Sequence, residues 1–198
     1  MPYRLHYFPE SGNSYKLALM LTFCGEQWEP VWTDFGGGVT RTPEWRASVN
    51  EMGEIPVLEV DGIRLTQTAP ILLRLAERAG RFLGANEDER FQILRWLFWD
   101  NHKLTGYMAT YRYNRAFTSL PDPQVLAFFR KRLDDYLGIL EQHLKDRRFV
   151  VGRRLKDDFE NGRSYYRLDG RPIARPEDPG LQPSTAALAW HREEAFLG

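Results

Sequence analysis

The chain has 198 residues, enough to bury one large hydrophobic core or two smaller ones. Its 27 lysines and arginines equal its 27 aspartates and glutamates, so net charge favours neither a nucleic-acid partner nor an anionic membrane surface. The single cysteine, Cys24, excludes an internal disulfide and fits a reducing compartment. No basic stretch with a following apolar segment opens the chain, and no apolar run approaches the roughly 18 residues of a membrane span. We therefore expect a cytoplasmic protein with no membrane partner.

The first part of the chain alternates strand and helix patterns. Residues 3–8 are aromatic and apolar and precede a proline, which predicts a strand. The loop 10–14 opens a helix whose apolar residues recur at helical spacing until Gly25, a typical helix terminator. Residues 29–34 supply a second strand, and a short helix begins at Pro43. The order starts as βαβ.

A β-hairpin is the clearest local prediction. Residues 55–65 form two apolar runs around Asp61-Gly62, a dipeptide typical of a two-residue type I′ turn. Thr68 then caps a third helix that carries Pro70 in its first turn. The order ββα completes a βαβ-ββα domain, which we assign to residues 1–80.

Longer helical patterns follow the first domain. The apolar residues of 88–118 mark one long helix, with Gly106 as the expected point of bending. A second helix follows the Pro-Asp-Pro break at 121–123 and keeps an apolar stripe for about six turns. The two helices should pack as an antiparallel pair, so we assign residues 86–152 to an all-α domain.

The sequence changes character after Gly152. Four prolines interrupt residues 153–198, and only 184–197 retain a helical pattern. We treat 153–198 as an atypical, proline-broken tail.

Four local features resemble the cytosolic glutathione transferases over roughly residues 3–152. They are the Ser-Gly-Asn-Ser-Tyr-Lys start of the first helix, the run Glu54-Ile55-Pro56-Val57-Leu58, the Asp-Gly hairpin, and Gln67-Thr68 at the third helix. Their order and spacing are similar to those of the family, above all to bacterial members of its serine-type branch. The resemblance implies an α/β thioredoxin-like N-terminal domain, an all-α C-terminal domain, glutathione as co-substrate and a homodimer.

The C-terminal part departs from the family pattern. After the point matched by residues 149–152, family members carry a Pro-[Ser/Thr]-x-x-Asp box that caps a central core helix, and this sequence lacks it. A frameshift, a gene fusion or a truncated domain with an unrelated end would each explain the difference. We expect an incomplete or atypical all-α domain, in which either the tail covers the two helices or apolar surface stays exposed.

The resemblance places the glutathione thiolate at the start of the first helix. The partial positive charge of a helix N-terminus favours an anion, and a hydrogen bond to a charged group contributes roughly 1.5 to 3 kcal/mol. A free thiol has a pKa near 8.5, and each unit of lowering needs about 1.4 kcal/mol. Ser11 is the first candidate donor, Asn13 is its rival, and Ser14 is a further glutathione-binding residue. The alternative is that these side chains only cap the helix.

The resemblance also assigns the rest of the glutathione site. It implies a cis bond between Ile55 and Pro56, which leaves the Ile55 backbone free to pair with the cysteinyl backbone of glutathione. It places Gln67 and Thr68 at the γ-glutamyl end, where the helix N-terminus and the Thr68 hydroxyl meet a carboxylate. An ordinary helix cap is the other interpretation of Thr68, and the two are compatible.

By their place in the family topology, Tyr107, Tyr111 and Arg112 are candidates for the electrophile site. Packing within the helical domain is the competing interpretation of all three. The four histidines and one cysteine show no metal-ligand spacing, so we expect no metal.

The resemblance thus implies an enzyme that conjugates the glutathione thiolate to a small electrophile. The alternative is a non-catalytic glutathione-transferase-like binding protein or degenerate paralogue, which the atypical C-terminal part favours. A thioredoxin-type redox protein is disfavoured, because oxygen at positions 11 and 14 cannot exchange disulfides.

Overall fold

The computed structural model describes residues 2–147 and 149–152. The described residues form two compact units, divided between Ala79 and Gly80. The first combines a sheet with helices, and the second is helical. The tail predicted for 153–198, with its helical pattern at 184–197, lies outside the described residues.

A four-stranded mixed sheet forms the first unit's centre. Its strands are β1 (Tyr3–Tyr7), β2 (Trp28–Trp32), β3 (Val57–Val60) and β4 (Ile63–Thr66). Their spatial order is β2-β1-β3-β4, with β1 and β2 parallel and the other two pairs antiparallel. This confirms the predicted thioredoxin-like βαβ-ββα domain.

Two helices connect strands of this unit, and a third follows β4. They are α1 (Gly12–Phe23), α2 (Pro43–Ser48) and α3 (Thr68–Ala79), with a 3₁₀ turn at Val39–Arg41 before α2. Helix α1 begins inside the predicted loop, because the Ser11 side chain caps it. Strand β3 begins later than predicted, because Pro56 has no N–H to give to a strand ladder.

The core of the first unit joins the sheet to α1 and α3. Leu17 and Leu21 lie one helical turn apart on the same face of α1, and both are fully buried. The other core side chains come from β1, β3 and α3: Tyr3, Leu5, Leu58, Val60, Ile71 and Leu75. Helices α1 and α3 therefore both pack against the sheet through residues that follow their N-terminal turns.

The turn between β3 and β4 has the predicted geometry. Asp61 and Gly62 have φ values of 50° and 76°, so both are left-handed, as a type I′ turn requires. The turn sets Val60 opposite Ile63 and Val57 opposite Thr66. The hairpin prediction is confirmed, and with it the register of β4.

The second unit contains α4 (Glu87–Trp99), α5 (Thr105–Ala116) and α6 (Pro123–Leu144). A π-helical segment, Asp100–Leu104, joins α4 to α5 immediately before Gly106. The helical run predicted for 88–118 is thus present, and its irregularity is a π segment, a common site of helix distortion. Asn86 and Asp122 cap α4 and α6 with their side chains.

Ring contacts show how the helices of the second unit pack. Trp96 lies 4.5 Å from the His143 ring, Trp99 lies 6.1 Å from Tyr136, and Tyr107 lies 5.8 Å from Phe129. Residues later in α4 and α5 contact residues earlier in α6, so the two helical runs are antiparallel.

The described helices of the second unit leave several large apolar side chains exposed. Among the described residues of its helices, only Leu133 is buried. The large apolar side chains that are exposed include Phe91, Phe98, Phe117, Leu120, Phe128 and Ile139. Over the ranges that the structure describes, no helix combines the length and the apolar character needed to cross a membrane.

A buried histidine on β1 forms an ion pair with a half-buried glutamate on β3. His6 is 7% exposed, and its Nε2 lies 3.1 Å from Glu59 Oε1. Arg4 and Arg64 also contact the Glu59 carboxylate, at 2.6 and 3.0 Å. Burial lowers the pKa of His6 below 6.5, although Glu59 opposes this shift. Burial raises the pKa of Glu59, but the hydrogen bond from Arg64 and the nearby His6 and Arg4 outweigh it, so that pKa lies below 4.5.

This pair makes stability depend on pH. Below pH 6.5 for His6 and below pH 4.5 for Glu59, the unfolded chain binds the proton more readily than the folded chain does. The free energy of unfolding should therefore increase as the pH rises through this window and decrease on acidification. Urea denaturation between pH 4.5 and 6.5 should give a flatter pH dependence for His6→Gln than for the wild type. The exposed His102 provides the control His102→Gln, and an unaltered slope in His6→Gln would contradict the assignment.

Candidate functional site

The strand register brings three predicted site segments to one edge of the sheet. His6 near the end of β1 lies opposite Val57 at the start of β3, and Val57 lies opposite Thr66 at the end of β4. The segments that follow β1, precede β3 and follow β4 therefore meet at this edge. They carry the predicted residues Ser11, Asn13, Ser14, Ile55, Pro56, Gln67 and Thr68.

Ser11 is the N-cap of α1. Its Oγ accepts a hydrogen bond from the Ser14 backbone N–H at 3.1 Å, and its own N–H donates to the Phe8 carbonyl at 3.1 Å. Ser11 thus caps α1, and its role at a glutathione thiolate stays a prediction. A hydroxyl that accepts through a lone pair still carries its proton, so the cap leaves Ser11 able to donate to a ligand.

Asn13 and Ser14 lie in the first turn of α1. Asn13 is half-buried, and for its side chain the structure shows no partner within residues 2–147 and 149–152. Ser14 is 2% exposed, and over the same ranges its Oγ has no hydrogen-bond partner. The backbone N–H groups of Gly12 and Asn13 belong to the first helical turn, which leaves them without intrahelical acceptors. This helix start offers several donors to an anion.

The bond between Ile55 and Pro56 is cis, which confirms the geometry that the resemblance implies. Pro56 is buried and Ile55 is half-buried. Ile55 lies before the first residue of β3 and takes no part in the recorded strand pairing.

Thr68 is not the N-cap of α3, so that prediction is wrong. Helix α3 begins at Thr68 itself, and the carbonyl of Gln67 accepts its first hydrogen bond, from the Ile71 N–H at 3.2 Å. Gln67 has a φ of 67°, a left-handed conformation that turns the chain from β4 directly into the helix. Because Pro70 has no N–H, Thr68 and Ala69 supply the free backbone donors of this helix start.

Two contacts of Gln67 are absent from the sequence predictions. Its Nε2 lies 2.9 Å from Glu54 Oε2 and 3.2 Å from Met52 Sδ. Counting outward from the Asp61-Gly62 turn places residue 56, and not Glu54, opposite residue 67, so the sequence held no signal for this contact.

The candidates for the electrophile site lie on α5 of the second unit. Tyr107 packs against the rings of Phe128, Phe129 and Tyr136. The hydroxyl of Tyr111 accepts a hydrogen bond from Arg115 at 3.2 Å. Packing within the unit is thus established for Tyr107, and the electrophile-binding role of Tyr107, Tyr111 and Arg112 stays a prediction.

Comparisons with known proteins identify relatives over most of the chain. No protein-family model matches the sequence. Protein Ure2 of Eremothecium gossypii is 27% identical over 82% of this chain and 48% of its own length, so the chain spans about half of that curated relative. A glutathione S-transferase of Pseudomonas fluorescens is 31% identical, with a TM-score of 0.70 over 78% of this chain and 77% of that one. Ure2p in complex with S-hexylglutathione, 24% identical, has a TM-score of 0.69 over 78% of each chain.

Removal of the Ser11 cap should destabilise the protein. Ser11→Ala leaves the Ser14 N–H without its acceptor, so the free energy of unfolding should fall by about 1 kcal/mol. Ser11→Asp keeps an acceptor at the cap and should retain most of the wild-type stability. Asn13→Ala removes no recorded contact and should change stability by less than about 0.5 kcal/mol. Urea denaturation followed by circular dichroism measures all three, and wild-type stability in Ser11→Ala would contradict the cap.

Proposed function

The chain belongs to the cytosolic glutathione transferase family, and we propose that it binds glutathione at the described sheet edge and transfers the thiolate to a small electrophile. The observation that carries this proposal is the convergence of two helix N-termini with the Ile55–Pro56 segment at one edge. Such an edge presents backbone and side-chain donors to an anionic ligand. The Ure2p complex with S-hexylglutathione, which shares the fold, supports a glutathione derivative as the ligand.

The α1 end of the edge would stabilise the thiolate. The hydroxyl of Ser11 keeps a proton to donate, and the Asn13 amide lies in the first turn of the same helix. A hydrogen bond to the charged sulfur contributes roughly 1.5 to 3 kcal/mol, which corresponds to about one to two pKa units of the bound thiol. At neutral pH this raises the fraction of thiolate, the nucleophilic form.

The α3 end would hold the γ-glutamyl part of glutathione. The N–H groups of Thr68 and Ala69 and the Thr68 hydroxyl are donors suited to its carboxylate. Between the two ends, the Ile55 backbone is outside the strand ladder and would pair with the cysteinyl backbone. We propose that Ser14 makes a further contact with glutathione on the α1 side. We also propose that Pro56, beside Ile55, lines the glutathione site.

The remaining parts of the proposal follow the family resemblance. We propose that Tyr107, Tyr111 and Arg112 of the second unit contact the electrophile. We also propose a cytoplasmic homodimer, in keeping with the family.

A non-catalytic role is the second candidate function. Ure2 of Saccharomyces cerevisiae, 26% identical over 82% of this chain, is named a transcriptional regulator. The absence of the Pro-[Ser/Thr]-x-x-Asp box after residue 152 also favours this alternative. Under it, the first unit would bind glutathione and the chain would carry out no transfer.

Retention on immobilised glutathione, with a chromogenic conjugation assay, distinguishes the two functions. For an enzyme, we expect the wild type to be retained and to turn over. Ser11→Ala should be retained while its kcat/KM falls about 10- to 100-fold, because one charge-assisted hydrogen bond is lost. Asn13→Ala tests the rival donor in the same assay.

The exposed Ser119 provides a matched control, since Ser119→Ala removes the same hydroxyl from a site in the second unit. Retention of the wild type without turnover would support the binding protein instead. Undiminished turnover in both Ser11→Ala and Asn13→Ala would remove these side chains from the thiolate site.

A further inference from the structure

His6 is buried beneath helix α2. On β1, Tyr3 and Leu5 point to the core with α1 and α3, so His6 points to the opposite face of the sheet. There its ring makes a T-shaped contact with the Trp45 ring of α2, with 5.7 Å between the ring centroids and 80° between the planes. Trp45 is the only one of the six residues of α2 that is not exposed. Helix α2 therefore reaches the protein interior through Trp45, against His6.

Helix α2 is weakly held in this position. None of its six residues is fully buried, and an isolated helix needs roughly 12 residues to be stable in water. The indole N–H of Trp45 is buried, and the described part of the chain offers it no hydrogen-bond partner. An element with so few buried contacts opens at a lower free energy than a core strand does. Opening of α2 would expose His6 to water.

A series of hydrogen bonds links α2 to the segment before the cis-proline. The Trp45 carbonyl accepts from the N–H groups of Val49 and Asn50, at 2.8 and 3.3 Å. The side-chain amide of Asn50, a residue that is 5% exposed, donates to the Glu54 carbonyl at 2.8 Å. Ile55 follows Glu54 directly in the chain. A displacement of α2 would therefore displace the Ile55 backbone.

Protonation of His6 favours the open position of α2. The charged groups that face this ring are Glu59 on β3, Arg64 on β4 and Arg4 on its own strand. Helix α2 presents a neutral indole to it, and β2 places Val31 opposite. Burial holds the pKa of His6 below 6.5, whereas exposure to water returns the pKa towards that value. The open form thus binds a proton more readily than the closed form does, and acidification favours opening.

We propose that His6 is a positioning residue that couples glutathione binding to pH: its protonation releases α2 and, through Asn50, displaces the Ile55 backbone from the ligand. This inference rests on the proposed function, because it assumes that the Ile55 backbone pairs with the cysteinyl part of glutathione. Between pH 7.5 and 5, protonation of the open form can raise the ratio of open to closed forms by about 30-fold at most. Glutathione binding therefore weakens as the pH falls below 6.5.

Isothermal titration with S-hexylglutathione at pH 7.5 and pH 5 tests the proposal. The probe has no free thiol, and its carboxylates and ammonium titrate outside this range. Glu59 also stays ionised there, since its pKa lies below 4.5. For the wild type, we expect the affinity to fall at least about threefold on acidification. In His6→Gln, whose amide takes up no proton, the affinity should change by less than about 1.5-fold. The exposed His102 gives the control His102→Gln, which should keep the wild-type pH dependence.

Hydrogen exchange of the wild type provides a second measurement that needs no variant. Exchange of the amides in 43–55, expressed relative to the intrinsic rate at each pH, should be at least about threefold faster at pH 5 than at pH 7.5. Saturation with S-hexylglutathione at pH 7.5 should slow exchange in the same peptide, because the ligand binds the closed form.

The possible failures are distinguishable. If the wild type does not bind S-hexylglutathione at pH 7.5, the proposed glutathione site and this inference are both overturned. If it binds the probe equally well at the two pH values, only the inference is overturned. The same holds if His6→Gln loses affinity on acidification as the wild type does, or if relative exchange of 43–55 is the same at both pH values.

Discussion

The pairing of β3 with both β1 and β4 is the constraint on which the rest of the first unit depends. It sets His6, Val57 and Thr66 side by side, so three segments far apart in sequence end at one edge of the sheet. A slip of one residue would move every side chain of a strand to the opposite face. Because Leu58 must stay buried on one face of β3, the strand cannot slip by one residue. The position of Ile55, which precedes Val57 in the chain, is fixed together with the strand.

The N-termini of α1 and α3 at this edge are formed in different ways. Helix α1 uses the Ser11 side chain to satisfy one N–H group, whereas α3 uses a left-handed residue, Gln67, to begin directly after a strand. In each case some backbone donors stay without an intrahelical partner. Capping and ligand binding are therefore compatible at Ser11, because the cap uses a lone pair and the ligand would use the proton.

The sequence predicts the features whose causes are local. The Asp61-Gly62 turn fixes the hairpin, and the apolar spacing of Leu17 and Leu21 fixes the buried face of α1. The position of Thr68 was not predictable in this way, because the left-handed Gln67 is a non-glycine residue with no local signal for that conformation. The hairpin register places residue 56 opposite residue 67, so it does not account for the contact of Gln67 with Glu54, and the cis Ile55–Pro56 bond follows only from the family resemblance.

Under the proposed function, binding and turnover depend on different units. Every residue proposed to hold glutathione belongs to the first unit, whose core joins the sheet to two helices. The residues proposed for the electrophile lie on α5, in a unit where Leu133 is the only buried side chain of the described helices. Few fully buried side chains fix the described helices of this unit, and catalysis is more sensitive to misplacement than binding is. The enzymatic and the non-catalytic hypotheses therefore differ in the second unit, and both require the same sheet edge in the first.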